Sequence, residues 1–83
     1  MIIQNGGNSA VGQLVVQMAR LMGIRCISVI RDRPDYNQIE QRLLSLGSSM
    51  VVKAERLPLP ETIAHIRQVM GGEMPSLALN CVG

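Results

Sequence analysis

The residues best suited to chemistry form a glycine-rich stretch, Gly7–Gly12, which follows an apolar segment and opens an amphipathic one. A helix N-terminus has unpaired N–H groups and a partial positive charge, so a strand–glycine loop–helix unit attracts a pyrophosphate. Ser9 stands where a dinucleotide fingerprint has its middle glycine, and its hydroxyl can donate to a phosphate oxygen. Gly12 would let the helix pack close to the strands. The alternative is a tight turn that binds nothing, with Ser9 as the N-cap.

A second chemical feature, Arg31-Asp32-Arg33, follows the next apolar segment, about 20 residues beyond the glycines, where the adenosine ribose lies in dinucleotide-binding folds. A site that prefers NAD places Asp or Glu there to accept the ribose 2′-hydroxyl. The planar fork of Arg instead bonds two oxygens of a phosphate. The arginine pair therefore favours NADPH over NADH. The alternative is a solvated charged turn with Asp32 paired to an arginine.

The elements that must position these residues alternate along the chain. Apolar residues at helical spacing predict a first helix after the glycines, which ends near Gly23. Met18 and Met22 belong to the apolar stripe of this helix, and their side chains would fill the core or contact other parts of the protein. Asp35 is expected to cap the second helix, with Gln38 as its capping-box partner. The stripe of the first helix comprises Val11, Leu14, Val15, Met18, Ala19 and Met22.

Four short apolar segments are predicted strands, and three helices lie between them. The strands are expected at the N-terminus, at Cys26–Ile30, at Met50–Val52 and at Leu77–Val82. The order β-α-β-α-β-α-β predicts an α/β fold, a partial Rossmann fold with a parallel sheet and right-handed crossovers. Three helices cannot cover both faces of such a sheet well. Residues 1–83 are therefore expected to be part of a larger nucleotide-binding domain.

Composition excludes several classes of function. The chain has 83 residues and a net charge of +2, with one Tyr and neither Phe nor Trp, so a base-stacking nucleic-acid surface is not expected. No apolar run approaches the ~18 residues that span a bilayer. Cys26 and Cys81 are interpreted as buried thiols, and His65 as a histidine on a helix surface. No metal site is expected, since the ligands lack the required spacing.

Three motifs together give the chain a family resemblance. The stretches Gln4–Gln13, Arg31–Asp35 and Leu77–Gly83 resemble the mitochondrial trans-2-enoyl-CoA reductases. These are zinc-free enoyl-thioester reductases of the medium-chain dehydrogenase/reductase superfamily, related to quinone oxidoreductases. The resemblance spans nearly the whole chain. The Asn-Ser-x-Val-Gly loop and the Arg-Asp-Arg-Pro turn are its most specific parts.

The resemblance implies NADPH-dependent reduction of a 2,3-trans double bond in an acyl thioester. It also implies a homodimer and a mitochondrial role in fatty acid synthesis. By analogy, Arg31 and Arg33 would take the adenosine 2′-phosphate, and strand four would lie toward the nicotinamide. The loop residues implied to bind the cofactor are Gly7, Asn8, Ser9, Ala10, Val11 and Gly12.

The resemblance also implies that a separate domain, absent from this chain, carries the catalytic tyrosine and the acyl pocket. Tyr36 cannot replace that tyrosine, and it is interpreted as a surface or ribose-side residue. No catalytic residue is therefore assigned. Two rival interpretations stay open: a truncated, inactive fragment, and another Rossmann-type nucleotide binder such as a methyltransferase using S-adenosylmethionine. The arginines disfavour a methyltransferase, because its cofactor has no phosphate.

Overall fold

The structure confirms the predicted alternation of strands and helices. A computed structural model describes residues 1–5, 10–73, 75 and 77–80. A 3-10 turn, Ala54–Arg56, lies in the connection between the third strand and the third helix. The elements are β1 (Ile2–Asn5), α1 (Ala10–Leu21), β2 (Cys26–Ile30), α2 (Tyr36–Leu46), β3 (Met50–Lys53), α3 (Pro60–Val69) and β4 (Leu77–Asn80).

The four strands form one parallel sheet in the order β3-β2-β1-β4. Asn5, the last residue of β1, is in register with Val29 of β2 and with Asn80 of β4. Ile30, the last residue of β2, is in register with Lys53 of β3. The carboxyl ends of all four strands therefore lie at one edge of the sheet, and the segments that follow them leave from that edge.

Helices α1 and α2 pack together on one face of the sheet, over a core that includes Cys26, Ile39 and Leu43. Gly47 ends α2 with a φ of +117°, a conformation that favours glycine. A Cβ there would lie 2.5 Å from Cδ of Arg20 on α1, so a side chain would push the two helices apart. The end of α2 is thus fixed against α1 by a residue with no side chain.

The face of α1 that meets the sheet shares only Ala19 with the predicted apolar stripe. Gly12, Val16 and Ala19 are the buried residues, and they are small enough to bring the helix close to the strands. Met18 and Met22 do not fill the core, since they are 51% and 67% exposed. The alternative, that they contact other parts of the protein, stays a prediction. The helix is apolar on two neighbouring faces, so spacing alone did not identify the one that packs. The exposed large apolar residues of α1 are Val11, Leu14, Met18 and Leu21.

A buried polar chain joins three strands beneath α1. Gln4 Nε2 donates to Ser28 Oγ at 3.0 Å, and Ser28 Oγ lies 2.9 Å from Ser48 Oγ. Ser48 Oγ in turn donates to the Met50 carbonyl at 2.9 Å. Buried polar atoms need such partners, so this series of hydrogen bonds fixes the lateral spacing of β1, β2 and the start of β3.

Helix α3 covers the opposite face more loosely. Met70, at its C-terminal end, is buried with Ile27 and Val52, but no residue within α3 itself is buried. A cavity of about 470 Å³ with an almost wholly apolar lining separates part of α3 from the sheet. None of the helices in the described ranges is long and apolar enough to cross a bilayer.

Candidate functional site

The candidate site lies at the carboxyl edge of the sheet, where three connections begin next to one another. The chain leaves β1 toward Ala10, the first residue of α1, and leaves β2 into Arg31–Arg33. It leaves β3 into the Ala54–Arg56 turn. Strand β1 pairs with β2 on one side and with β4 on the other, so the connections diverge between β1 and β4. Ligands of open α/β sheets bind in the crevice at such a point.

The glycine loop is only partly described. Gly7, Asn8, Ser9 and Cys81 lie outside the described residues. Ala10 and Val11 are exposed in the first turn of α1, which carries no acidic side chain to oppose an anion. Gly12 is buried, in agreement with the predicted close packing of helix and sheet.

The arginine turn carries one unpaired and one paired guanidinium. Within the described part of the chain, Arg31 has no ion-pair partner. Arg33 Nε lies 2.8 Å from Asp35 Oδ1, and both side chains are about half exposed. The predicted alternative paired Asp32 with an arginine; its carboxylate instead lies 3.4 Å from Lys53 Nζ.

Asp35 precedes α2 as predicted, but it does not cap the helix through its side chain. Its φ and ψ are −96° and 15°, and its carboxylate makes no capping hydrogen bond. The Tyr36 N–H donates to the Arg33 carbonyl at 2.9 Å, and the Asp35 carboxylate pairs with the Arg33 guanidinium. The capping-box prediction with Gln38 is therefore wrong, because a neighbouring cation takes the carboxylate.

Glu55 contacts the arginine turn, although nothing in the sequence indicated this contact. Both of its carboxylate oxygens accept the backbone N–H of Asp32, at 3.0 and 3.2 Å. Glu55 lies in the turn after β3, and the parallel pairing of β2 with β3 brings that turn beside the arginines. No local motif indicates this contact. Only the strand order, known in advance, would have revealed it.

The charges around the arginine turn balance. Lys53, at the end of β3, brings a positive charge to the turn, and Glu55, just after β3, brings a negative one. Within the described ranges, Arg31 is the one cation of this cluster without a carboxylate partner. The cluster, named here the arginine cluster, comprises the cations Arg31, Arg33 and Lys53 and the anions Asp32, Asp35 and Glu55.

Tyr36 lies beside the arginine cluster, and of its two predicted placements the surface one is wrong, while a place on the ribose side stays a prediction. It is only 8% exposed and belongs to the core between α1 and α2. Lys53 Nζ lies 5.0 Å from the centre of its ring, within the range of a cation–π contact. Burial, then the negative charges of Glu40 and Asp32, raise the pKa of the phenol, and the Arg56 charge lowers it.

We expect the phenol of Tyr36 to titrate above its ordinary pKa of 10.0 in the folded chain. Folding favours the neutral phenol, so this contribution to stability is complete below pH 10 and is lost as pH rises through the folded pKa. Tyr36 is the only tyrosine and the chain has no tryptophan, so phenolate absorbance reports this residue alone. The midpoint of the phenol titration should return to its ordinary value in denaturant. Equal midpoints in the folded and the unfolded chain would contradict the burial of the ring.

Cys26 is buried and His65 is exposed on α3, as predicted for both. Across the described ranges, no group of three or more His, Cys, Asp or Glu residues is placed to hold a metal ion.

Comparison with known proteins finds similar chains among mitochondrial enoyl-[acyl-carrier-protein] reductases. No family model matches the chain. The chain is 46% identical over 82 residues to the mitochondrial enoyl-[acyl-carrier-protein] reductase of Rattus norvegicus, covering 99% of this chain and 21% of the rat protein. The Homo sapiens protein gives the same identity and coverage. The chain therefore spans about a fifth of the length of the curated relatives it matches.

Solved structures agree. The heterodimer of mitochondrial 2-enoyl thioester reductase Etr1p/Etr2p from Candida tropicalis superposes with a TM-score of 0.87 at 39% identity, over 99% of this chain and 23% of that one. The complex of Etr1p with NADP and crotonyl-CoA gives 0.86 at the same identity and coverage. The resemblance is confirmed: the chain is homologous, over nearly its whole length, to a segment of mitochondrial enoyl-[acyl-carrier-protein] reductases.

Proposed function

We propose that this chain is the NADPH-binding segment of a mitochondrial enoyl-thioester reductase. The observation that carries the proposal is that two features suited to anions lie at one edge of the sheet. The first turn of α1, free of acidic side chains, follows β1, and the Arg31–Arg33 turn follows the neighbouring β2. NADPH carries two groups of matching charge, a pyrophosphate and an adenosine 2′-phosphate.

The residues present fit this cofactor. Arg31 offers a guanidinium with no ion-pair partner in the described ranges, and such a group suits a phosphate. The Asp32 carboxylate pairs with Lys53, so it is a weaker acceptor for the ribose hydroxyl of NADH. Arg31 and Arg33 would hold the 2′-phosphate. The pyrophosphate would be held by the loop and first turn of α1: Gly7, Asn8, Ser9, Ala10, Val11 and Gly12.

The reaction is inferred from the relatives. Bound NADPH supplies a hydride for reduction of the 2,3-trans double bond of an acyl thioester. The solved Etr1p complex holds NADP and crotonyl-CoA, and this supports the same cofactor and substrate class here. The chain matches 23% of Etr1p, and the part proposed for it is to bind and orient the cofactor. A mitochondrial location and a dimer are proposed for the whole protein on the same homology.

A second candidate is a charged turn that binds no ligand, as in a catalytically inactive fragment. The Arg33–Asp35 pair favours it, because that guanidinium is already neutralised. Partly exposed pairs of this kind contribute only ~0.2–1 kcal/mol, so a dianionic phosphate competes well for the same guanidinium. The two candidates differ in whether the chain binds NADPH at all.

The test is a titration of the chain with NADPH and, separately, with NADH, followed by nicotinamide fluorescence and by thermal shift. The chain has no tryptophan, so the reduced cofactor dominates the fluorescence signal. We expect tighter binding of NADPH by roughly 10- to 100-fold, the value of one charge-assisted hydrogen bond of ~1.5–3 kcal/mol. Equal affinities or a preference for NADH would contradict the assignment of the arginines. A cooperatively melting chain that binds neither nucleotide would support the second candidate.

A further inference from the structure

Two carboxylates of the chain occupy donors that an incoming phosphate would use. Asp35 Oδ1 lies 2.8 Å from Arg33 Nε. Glu55 takes the backbone N–H of Asp32 with both oxygens, at 3.0 and 3.2 Å. Guanidinium groups and backbone N–H groups are the donors that commonly bind phosphate oxygens in proteins. Each of these donors is therefore already held by an anion from the same chain.

We propose that Asp35 and Glu55 are specificity-determining residues, which compete with the cofactor 2′-phosphate for the arginine cluster and so limit the preference for NADPH. The proposal rests on the proposed function, because it concerns how strongly that same site selects its cofactor. A phosphate at this turn must displace both carboxylates or remain close to them. NADH, which lacks the 2′-phosphate, meets no such competition.

The other charges of the cluster explain why the preference is limited rather than abolished. The Asp32 carboxylate is compensated by Lys53 Nζ at 3.4 Å. Arg31 keeps a guanidinium with no ion-pair partner in the described part of the chain. One cation thus remains available to the phosphate while the two competitors are in place. Because Asp35 is 46% exposed, solvent screens its competition, and the effect per carboxylate is modest.

Conservative substitutions separate competition from structural support. Asp35→Asn removes the charge but keeps a residue suited to the start of a helix, and no capping hydrogen bond is lost. Glu55→Gln removes the charge but keeps a carbonyl oxygen that can accept the Asp32 N–H. If the Asp35 and Glu55 carboxylates only held the arginine turn in place, both variants would bind NADPH no better than the original chain. Competition predicts that both bind it more tightly.

The experiment measures NADPH and NADH affinities of the chain, of Asp35→Asn, of Glu55→Gln and of the double variant at low ionic strength. Each single variant should bind NADPH roughly two- to fivefold more tightly, with NADH unchanged. Raising the salt concentration should shrink this gain. Glu61→Gln is the matched control, since Glu61 is an exposed acid at the start of α3 with no ion pair in the described ranges. Thermal melts establish that every variant is folded.

The remaining outcomes overturn the proposal in distinguishable ways. A preference for NADPH in the original chain, without any gain in the variants, rejects the competition and leaves the proposed function standing. An equal gain for NADH, or an equal gain in Glu61→Gln, rejects a specific contact with the 2′-phosphate. Failure of the folded chain to bind either nucleotide rejects the competition and the proposed function together.

Discussion

Replacing Arg31 by methionine is expected to weaken NADPH binding by roughly 10- to 100-fold while changing NADH binding little. The side chain is exposed at the end of β2 and has no ion-pair partner among the described residues, so the substitution removes no contact on which the fold depends. A charge-assisted hydrogen bond to phosphate contributes ~1.5–3 kcal/mol, and ~1.4 kcal/mol corresponds to a tenfold change in affinity. Titration with both nucleotides measures the effect.

Arg42→Met is the matched control for this substitution. Arg42 is an exposed arginine of α2, also without an ion pair in the described ranges, but it lies two turns away from the start of that helix. The substitution Arg42→Met removes the same charge from the chain. The affinities for NADPH and NADH should stay within about twofold of those of the original chain, as expected for a screened distant charge. Equal losses in the two variants would show a general effect of net charge. An equal loss for NADPH and NADH would place Arg31 away from the 2′-phosphate.

Replacing Leu43 by alanine is expected to cost ~2–5 kcal/mol of unfolding free energy. Leu43 is fully buried on α2, in the core that joins both helices of this face to β2. An 83-residue domain has a total stability of roughly 4–12 kcal/mol, so the loss is a large fraction of it. Urea unfolding followed by circular dichroism measures the change.

Leu44→Ala provides a control of the same residue type at the next position. Leu44 is 41% exposed, and its truncation should cost about 1 kcal/mol or less. Nearly equal losses in the two variants would contradict the orientation of α2, and with it the placement of the arginine turn at the start of that helix.

The order of elements was predictable because each signal is local. Cys26–Ile30 is a short apolar run rich in β-branched residues, and all five of its residues are buried in β2. Gly47 lies where the apolar spacing of α2 stops, and it adopts the left-handed conformation that ends a helix. Strict alternation then implied a parallel sheet, and the observed strand pairings are all parallel.

The packing of α1 was not predictable in the same way. Its apolar residues cover two adjacent faces, and the more hydrophobic stripe, with Leu14 and Met18, is the exposed one. The sheet accepts the face with Gly12, Val16 and Ala19, because small residues allow the closer approach. Hydrophobicity alone therefore selected the wrong side, and the volume of the side chains decided the outcome.

The arginine turn was located correctly from the sequence, but its electrostatics were not. Lys53 and Glu55 lie more than 20 positions along the chain from Asp32, and both reach it only because β3 pairs with β2. The Arg33–Asp35 pair is local, yet the carboxylate was predicted to serve as a helix cap. Competition between two acceptable partners for one carboxylate depends on geometry, which residue type and spacing do not specify.

Mapping bound NADPH onto the chain would show whether the cofactor binds at the carboxyl edge of the sheet. Backbone amide signals of the isotope-labelled chain would be followed by NMR during titration with NADPH. We expect the largest shifts at residues 7–12 and 31–33, with little change along α3 (Pro60–Val69). Shifts concentrated on α3, or no shifts on addition of NADPH, would show that the cofactor does not bind at this edge.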